Sequence, residues 1–188
     1  MFTVHALQNA DSDGEDLLAD ALGLESLGTG THRVRDRNGD RVGAIDVTAI
    51  WRLHIEPSFS PSGLLCVATA PRVEWGKSKA PGWVKGVLCC EGDLATVKLE
   101  SDPLPGLLSG VQWLAESAHQ YRDGIHYRLS TQTGRIRGTV EFNNPDSSDL
   151  IALEAECWQL AENIACASGL LNLHRFTSAW KQSIQERG

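Results

Sequence analysis

The sequence lacks several features that would place the protein in a well-defined class. No window approaches the run of about 18 apolar residues that a membrane-spanning helix needs. Basic residues are also scarce, since 17 Lys and Arg stand against 24 Asp and Glu and leave a formal charge of −7. That balance argues against a nucleic-acid partner, because such partners bind a basic surface by releasing counterions. Residues 1–10 show neither a basic start nor a long apolar run, so we expect no secretory signal and a cytoplasmic protein.

The cysteines do not show the spacing of a disulfide framework or a zinc site. Their number is odd and no CxxC pair occurs, so the sequence predicts neither a metal nor a cofactor. Cys89 and Cys90 could be combined with His119 and His126 into a zinc set, but adjacent residues of a strand point to opposite faces. Three cysteines lie in apolar patterns and are predicted to be small core residues: Cys66, Cys157 and Cys166.

Motifs of nucleotide binding and nucleophilic catalysis are also missing. The chain has no GxSxG elbow, and the Gly28-Thr29-Gly30 fragment has no third glycine and precedes a strand pattern rather than a helix. His54 and Asp46 alternate onto one strand face but are too far apart along it to touch. The basic cluster at residues 33–41 fits either a small patch for phosphate or an acidic partner, or an ordinary exposed hairpin face. No residue cluster therefore specifies a chemistry.

A capping box predicts the first helix, over residues 12–22. Ser12 is followed three residues later by Glu15, and Gly23 provides the stop. An isolated helix this short is marginal, so its apolar stripe must dock on the sheet or be completed by another chain. Acids at Asp13, Asp16 and Asp20 border the stripe and would favour a basic or extended partner segment. The predicted partner-binding residues are Leu17, Leu18 and Leu22, with burial inside the protomer as the alternative.

Alternation and turn residues predict the strands. Asn38-Gly39 predicts a hairpin, and apolar residues alternate over 42–55, with Ile50 breaking the polar face of that strand. Residues 63–70 are apolar on both faces, as in a central strand. Residues 83–90 with 94–100, and 125–129 with 136–142, read as two further hairpins. Residues 71–82 are predicted to be a long loop.

Apolar residues at helical spacing predict helices over 107–122 and 148–168 and a terminal helix around Leu173–Ile184. Together these patterns predict a single α+β domain over residues 1–188, in which helices cover an antiparallel sheet. The predicted order is α-β-β-β-(β-β)-α-β-β-α with an extra C-terminal helix.

Without the extra hairpin, this order resembles that of the class I type III secretion chaperones and the related bacterial sensory-transduction regulator family. The resemblance rests on DLLADALGL at residues 16–24 and on residues 121–142, with their Thr133-Gly134 turn. It implies a small, acidic, cytoplasmic homodimer without catalytic residues that holds an extended partner segment. It further implies a dimer interface on the middle helix and the strand after it: Val111, Trp113, Leu114 and Tyr127.

Two classes of function remain open at this point. The first is a non-enzymatic, chaperone-like protein-binding module that holds or regulates a segment of another protein. The alternative is a small intracellular enzyme, whose site would be assembled from dispersed polar residues: His54, Asp46, His126 and Arg128. An enzyme would gather ionisable groups in a cleft, whereas a binder would present an exposed apolar groove bordered by charge.

Overall fold

The computed structural model describes residues 3–6, 14–35, 41–71, 73–75, 78–80, 82–105 and 124–186. Within these ranges it confirms the predicted α+β class. The helices are α1 (Gly14–Leu22), α2 (Ser148–Ser168) and α3 (Leu171–Gln185). The strands are β1 (Thr3–Ala6), β2 (Gly30–Arg35), β3 (Arg41–Val47), β4 (Ala49–Pro57), β5 (Gly63–Ala70), β6 (Val73–Trp75), β7 (Ser78–Ala80), β8 (Trp83–Cys90), β9 (Asp93–Leu99), β10 (Ile125–Thr133) and β11 (Ile136–Asn143).

Seven of these strands form one antiparallel sheet in the order β1-β9-β8-β5-β4-β10-β11. The pairs β2-β3 and β6-β7 form separate two-stranded ribbons. Strands β4, β5, β8 and β9 follow one another across the sheet, and β10 then joins on the far side of β4. The predicted centre of the sheet is confirmed, because β5 buries side chains on both faces.

One side of the sheet, called here the closed face, carries the larger core under α2 and α3. Odd-numbered residues of β4 and β5, among them Trp51, Leu53 and Val67, pack there against the two helices. The fit between α3 and β5 is close, since a Cβ added at Gly63 would lie 2.1 Å from the Phe176 ring. Glycine at this position therefore allows α3 to rest directly on the strand.

Local signals fix both ends of α2. The Ser147 side chain accepts a hydrogen bond from the amide of Leu150, and Gly169 ends the helix in the left-handed conformation at φ 68°. Both features satisfy backbone groups that a helix end leaves unpaired. The short turn between β8 and β9 likewise uses positive φ angles, at Glu91 (49°) and Gly92 (81°).

Among the described residues, those that pack on the second face of the sheet cover part of its width. Leu18, Leu22 and Leu24 pack with Ile45 and Val47 of β3 over the inner strands. The sheet residues beneath them are Ile50, Cys66, Ala68, Ala70, Val87 and Leu94. Strands β4, β10 and β11 extend beyond this cover.

The single long strand predicted over 42–55 is wrong, because the chain breaks at Thr48. Residues before the break pair with β2, whereas residues after it enter the main sheet. Ile45 and Val47 consequently bury against the second face, whereas Trp51 buries against the closed face. The contact suggested by Ile50 is confirmed, since Ile50 is 4% exposed in the second-face cluster.

Some further predictions need correction. The loop predicted over 71–82 contains the β6-β7 ribbon, and β1 was not predicted. Cys166 is exposed, not a core residue, although Cys66 and Cys157 are buried as expected. The predicted helix over 107–122 lies outside the described residues.

Candidate functional site

The part of the second sheet face that no other described element covers gathers polar side chains from three neighbouring strands. The odd-numbered apolar residues of β4 and β10 point toward the closed face, and so do Val140 and Phe142 of β11. The intervening residues point the opposite way, because side chains alternate along a strand. This surface, called here the open face, consists of Arg52, His54, Glu56, His126, Arg128, Ser130, Gln132, Arg137, Thr139, Glu141 and Asn143.

Strand register places these residues in rows across the sheet. In one row, His54 of β4 lies beside Arg128 of β10, which lies beside Glu141 of β11. In the next row, Glu56 lies beside His126. Residues in direct register on one face have Cβ atoms about 5 Å apart, so each row forms a set of interacting charges.

Polar contacts run within each row, and one contact of His126 joins the two rows. Arg128 donates from Nε to Glu141 Oε1 over 2.7 Å. His126 Nδ1 lies 3.4 Å from Glu56 Oε2, and its Nε2 lies 4.0 Å from Glu141 Oε2. His126 therefore sits between two carboxylates, one on each neighbouring strand.

These groups are accessible to a partner. The Arg128, Glu56 and Glu141 side chains are 46%, 46% and 49% exposed, and that of His126 is 31% exposed. Exposed ion pairs contribute little to folding stability, typically below about 1 kcal/mol. The open face thus carries charges of both signs, and these charges contribute little to the stability of the fold.

The loop after α1 borders one end of the open face. Gln132 donates from Nε2 to Thr29 Oγ1 over 2.7 Å, and Thr29 donates in turn to the carbonyl of Gly134 over 2.7 Å. His32 is 7% exposed, with Nε2 2.8 Å from the Gly28 carbonyl oxygen. These contacts hold residues 28–32 against the end of β10.

Three of the four dispersed polar residues named for an enzyme site come together on the open face. His54, His126 and Arg128 share this surface, and His54 and Arg128 are direct register partners. Asp46 does not join them in the sheet, since it pairs with Thr31 in the β2-β3 ribbon. Sequence reasoning missed Glu56 and Glu141, whose only signal is the same alternation that places their neighbours.

The predicted partner-binding residues of α1 pack against the chain itself. Leu18 and Leu22 are each 1% exposed in the second-face cluster, and Leu17 is partly buried beside them. Lys85 of β8 donates from Nζ to the carbonyl of Leu22 over 2.6 Å and secures the end of the helix. A partner could reach this stripe only by displacing α1 from the sheet.

The predicted dimer-interface residues have different outcomes. Val111, Trp113 and Leu114 lie outside the described residues. Tyr127 is 0% exposed in the closed-face core, where its hydroxyl donates to Glu154 Oε1 and accepts from Trp180 Nε1 over 2.7 Å. Its side chain therefore makes its contacts within one chain.

The buried cysteines are held in their neutral form. Burial raises the pKa of Cys66 and Cys157 to about 12 each. Burial also raises the pKa of Cys90 to about 12, with Glu91 as the next cause. Cys90 and Cys89 face opposite sides of β8, in the closed-face and second-face clusters. Within the described ranges, no group of three His, Cys, Asp or Glu residues could hold a metal ion.

A pocket of about 580 Å³ lies where β5 ends, β8 begins and β9 ends. Trp83, Lys98 and Glu100 are among its lining residues. The ammonium of Lys85 lies 4.6 Å from the centre of the Trp83 ring. This pocket is separate from the open face and contains none of the predicted site residues.

Comparison with protein-family models, curated proteins and solved structures finds no match to this chain. In the part of the chain that the structure describes, no helix is long and apolar enough to cross a membrane.

Proposed function

We propose that the protein is a cytoplasmic, non-enzymatic binding module that is chaperone-like in holding or regulating a segment of another protein. The open face is its binding surface. The observation that carries this proposal is the row arrangement of His54, Arg128 and Glu141, with Glu56 and His126 beside it, on a sheet surface left uncovered in the described structure.

The chemistry of this surface suits recognition of another protein. Arginine is enriched among residues that dominate binding energy at protein interfaces, and charges of both signs select partners by complementarity. The open face carries Arg52, Arg128 and Arg137 against Glu56 and Glu141, which gives 3 − 2 = +1 with neutral histidines. The whole chain carries −7. The open face should therefore attract an acidic segment, not the basic one that the charges around α1 suggested.

The test compares two charge reversals of equal size. Arg128→Glu places a second carboxylate beside Glu141 on the open face, whereas Arg175→Glu changes an exposed residue of α3. Each purified variant is used to capture partners from the native host, and the captured proteins are quantified against the wild type. We expect Arg128→Glu to reduce capture at least about tenfold, because unpaired like charges at an interface cost several kcal/mol. Equal capture by both variants, with melting temperatures unchanged, would contradict the proposal.

A hydrolytic or acid-base enzyme is the second candidate, favoured by one observation. His126 lies between Glu56 and Glu141, and such a carboxylate contact can orient an imidazole as a general base. Replacing His126 by Gln would then abolish turnover of a hydrolysable substrate by the purified protein. The same replacement should leave partner capture within about twofold if the arginines carry binding. The pair of measurements separates the two functions.

A further inference from the structure

Strand β11 is an open edge of the main sheet. In the part of the chain that the structure describes it pairs with β10 alone, and Arg137, Gly138 and Thr139 are exposed on both faces of the strand. Ile136 at its start is 77% exposed. An edge strand of this kind offers a row of backbone groups to another strand.

The direction of those backbone groups follows from the hydrogen bonds to β10. The amide of Asn144 donates to the carbonyl of Ile125 over 3.1 Å. Because such groups alternate along an antiparallel pair, even-numbered residues of β11 face β10 and odd-numbered residues face outward. Arg137, Thr139 and Glu141 therefore present their N–H and C=O groups to the open edge.

This edge is complementary to itself. A two-fold axis perpendicular to the sheet at Thr139 would pair Thr139 with Thr139 of a second copy. The same register sets Arg137 opposite Glu141 of that copy, on the open face, and Ile136 opposite Phe142 on the other face. All three odd-numbered pairings use outward backbone groups, and such a pair exchanges two hydrogen bonds.

The charges select this register. Moving the axis to Gly138 would place Arg137 opposite Thr139 and would leave Glu141 facing Arg135, which lies in the turn outside β11. Moving it to Val140 would place Arg137 opposite Asn143. Only the Thr139 axis matches Arg137 with a carboxylate twice, once in each direction. Within the described residues Arg137 makes no ion pair, whereas Glu141 already binds Arg128 and can accept a second donor.

We propose that two copies of this chain pair edge to edge through β11 about a two-fold axis at Thr139. The dimer joins the two seven-stranded sheets into one and makes the two open faces continuous. This interface is isologous, as expected for a two-fold homodimer. It differs from the interface predicted on the middle helix and the strand after it (Val111, Trp113, Leu114 and Tyr127), and it does not depend on the proposed binding function.

Complementary charge variants provide the main test. Arg137→Glu alone would set two glutamates against each other at both ends of the interface, and Glu141→Arg alone would do the same with arginines. Mixed together, the two variants restore an opposite-charge pair at each end. Analytical ultracentrifugation is run from about 1 to 100 µM, the range of concentration in which dimers with small interfaces dissociate. The wild type should reach twice 20.4 kDa, each variant alone should stay near 20.4 kDa, and the mixture should be dimeric again.

A backbone variant tests the strand pairing itself. Thr139→Pro removes an outward N–H and should leave the fold intact, because proline is tolerated where an edge N–H faces solvent. It should weaken dimerisation at least about tenfold, since two hydrogen bonds are lost per dimer. Thr139→Val keeps the amide and serves as the control, with less than about threefold effect.

A wild type that remains at 20.4 kDa throughout this range would overturn the proposal and leave the edge to another protein. A dimer that survives Thr139→Pro, or a mixture of the two charge variants that stays monomeric, would overturn it as well. Circular dichroism of each variant establishes that its fold is retained.

Discussion

The two faces of the main sheet hold their polar groups in different environments, buried on the closed face and exposed on the open face. On the closed face, Tyr127, Glu154 and Trp180 bond to one another inside the core, where Glu154 is 4% exposed. On the open face, His126 and Arg128 pair with glutamates that remain about half exposed. A buried polar group without its partner costs about 1–3 kcal/mol, whereas an exposed ion pair contributes little. Substitutions on the closed face should therefore change stability, and those on the open face should change binding.

The largest effect is expected where α3 meets β5. Gly63→Leu would force a side chain into the Phe176 ring, so α3 would have to move off the sheet. We expect a loss of about 3 kcal/mol in the free energy of unfolding, the upper end of what overpacking of a core typically costs. Urea denaturation measures it. The double variant with Phe176→Ala should recover part of the loss, and a purely additive double variant would contradict the contact as the cause.

The second-largest effect on stability is expected at two buried thiols, one in the covered part of the second face and one on the closed face. Cys66 lies in the former and Cys157 in the latter, and burial raises both pKa values from 9.0 to about 12. Unfolding lets these thiols ionise near pH 9, so the stability is complete below pH 9 and is lost as the pH rises toward 12. By pH 10 the loss should be about 1.4 kcal/mol for each thiol.

Thermal unfolding between pH 8 and pH 10 measures this loss. The double variant Cys66→Ala, Cys157→Ala should show a smaller decline than the wild type. Lys85, whose pKa burial lowers, works in the opposite sense but is common to both proteins. If the stability of both proteins declines equally with pH, the thiols are not responsible. If only one of the single variants, Cys66→Ala or Cys157→Ala, reduces the decline, the two thiols are not equally shielded from solvent.

A smaller effect is expected at Asp102, which serves the closed face from the chain segment after β9. Its carboxylate accepts hydrogen bonds from Trp51 Nε1 over 2.9 Å and from Thr69 Oγ1 over 3.2 Å. Asp102→Ala leaves both donors without this partner and should cost about 2 kcal/mol. Chemical denaturation gives the value. The matched variant Glu100→Ala, at an exposed position, should leave the stability unchanged. A similar loss in that variant would show that the effect is not specific to Asp102.

The smallest effect on stability is expected on the open face itself. Arg128→Gln removes the 2.7 Å ion pair with Glu141 and should change the free energy of unfolding by less than about 0.5 kcal/mol. The melting temperature should therefore stay within a few degrees of the wild type. A loss above about 2 kcal/mol would mean that the open face is part of the folded framework, and the contrast between the two faces would fail.

Local patterns were sufficient to predict much of the fold. Strand β5 was found because it is apolar on both faces, and α2 because apolar residues recur at helical spacing over residues 148–168. The break at Thr48 escaped prediction because apolar residues keep alternating through it while the chain changes sheets. The ribbon at residues 73–80 consists of two three-residue strands, too short for a period to emerge.

The candidate site could be predicted only in part. His54, His126 and Arg128 were named as polar residues on strands, but their meeting depends on β10 pairing with β4 rather than with β9. Register between distant strands is set by the packed core and not by any local signal. The same holds for the burial of Leu18 and Leu22, since an amphipathic stripe does not reveal which surface covers it.

The position of β10 beside β4 also has a consequence for how fast the chain folds. Hairpins such as β4-β5 and β10-β11 join residues close in sequence and can form early. The β4-β10 pairing joins Pro57 to Ile125, which are 125 − 57 = 68 positions apart, and closing so long a loop is slow. The Tyr127 to Trp180 hydrogen bond ties this late pairing to α3. Docking of the C-terminal helix should therefore accompany the rate-limiting step, not precede it.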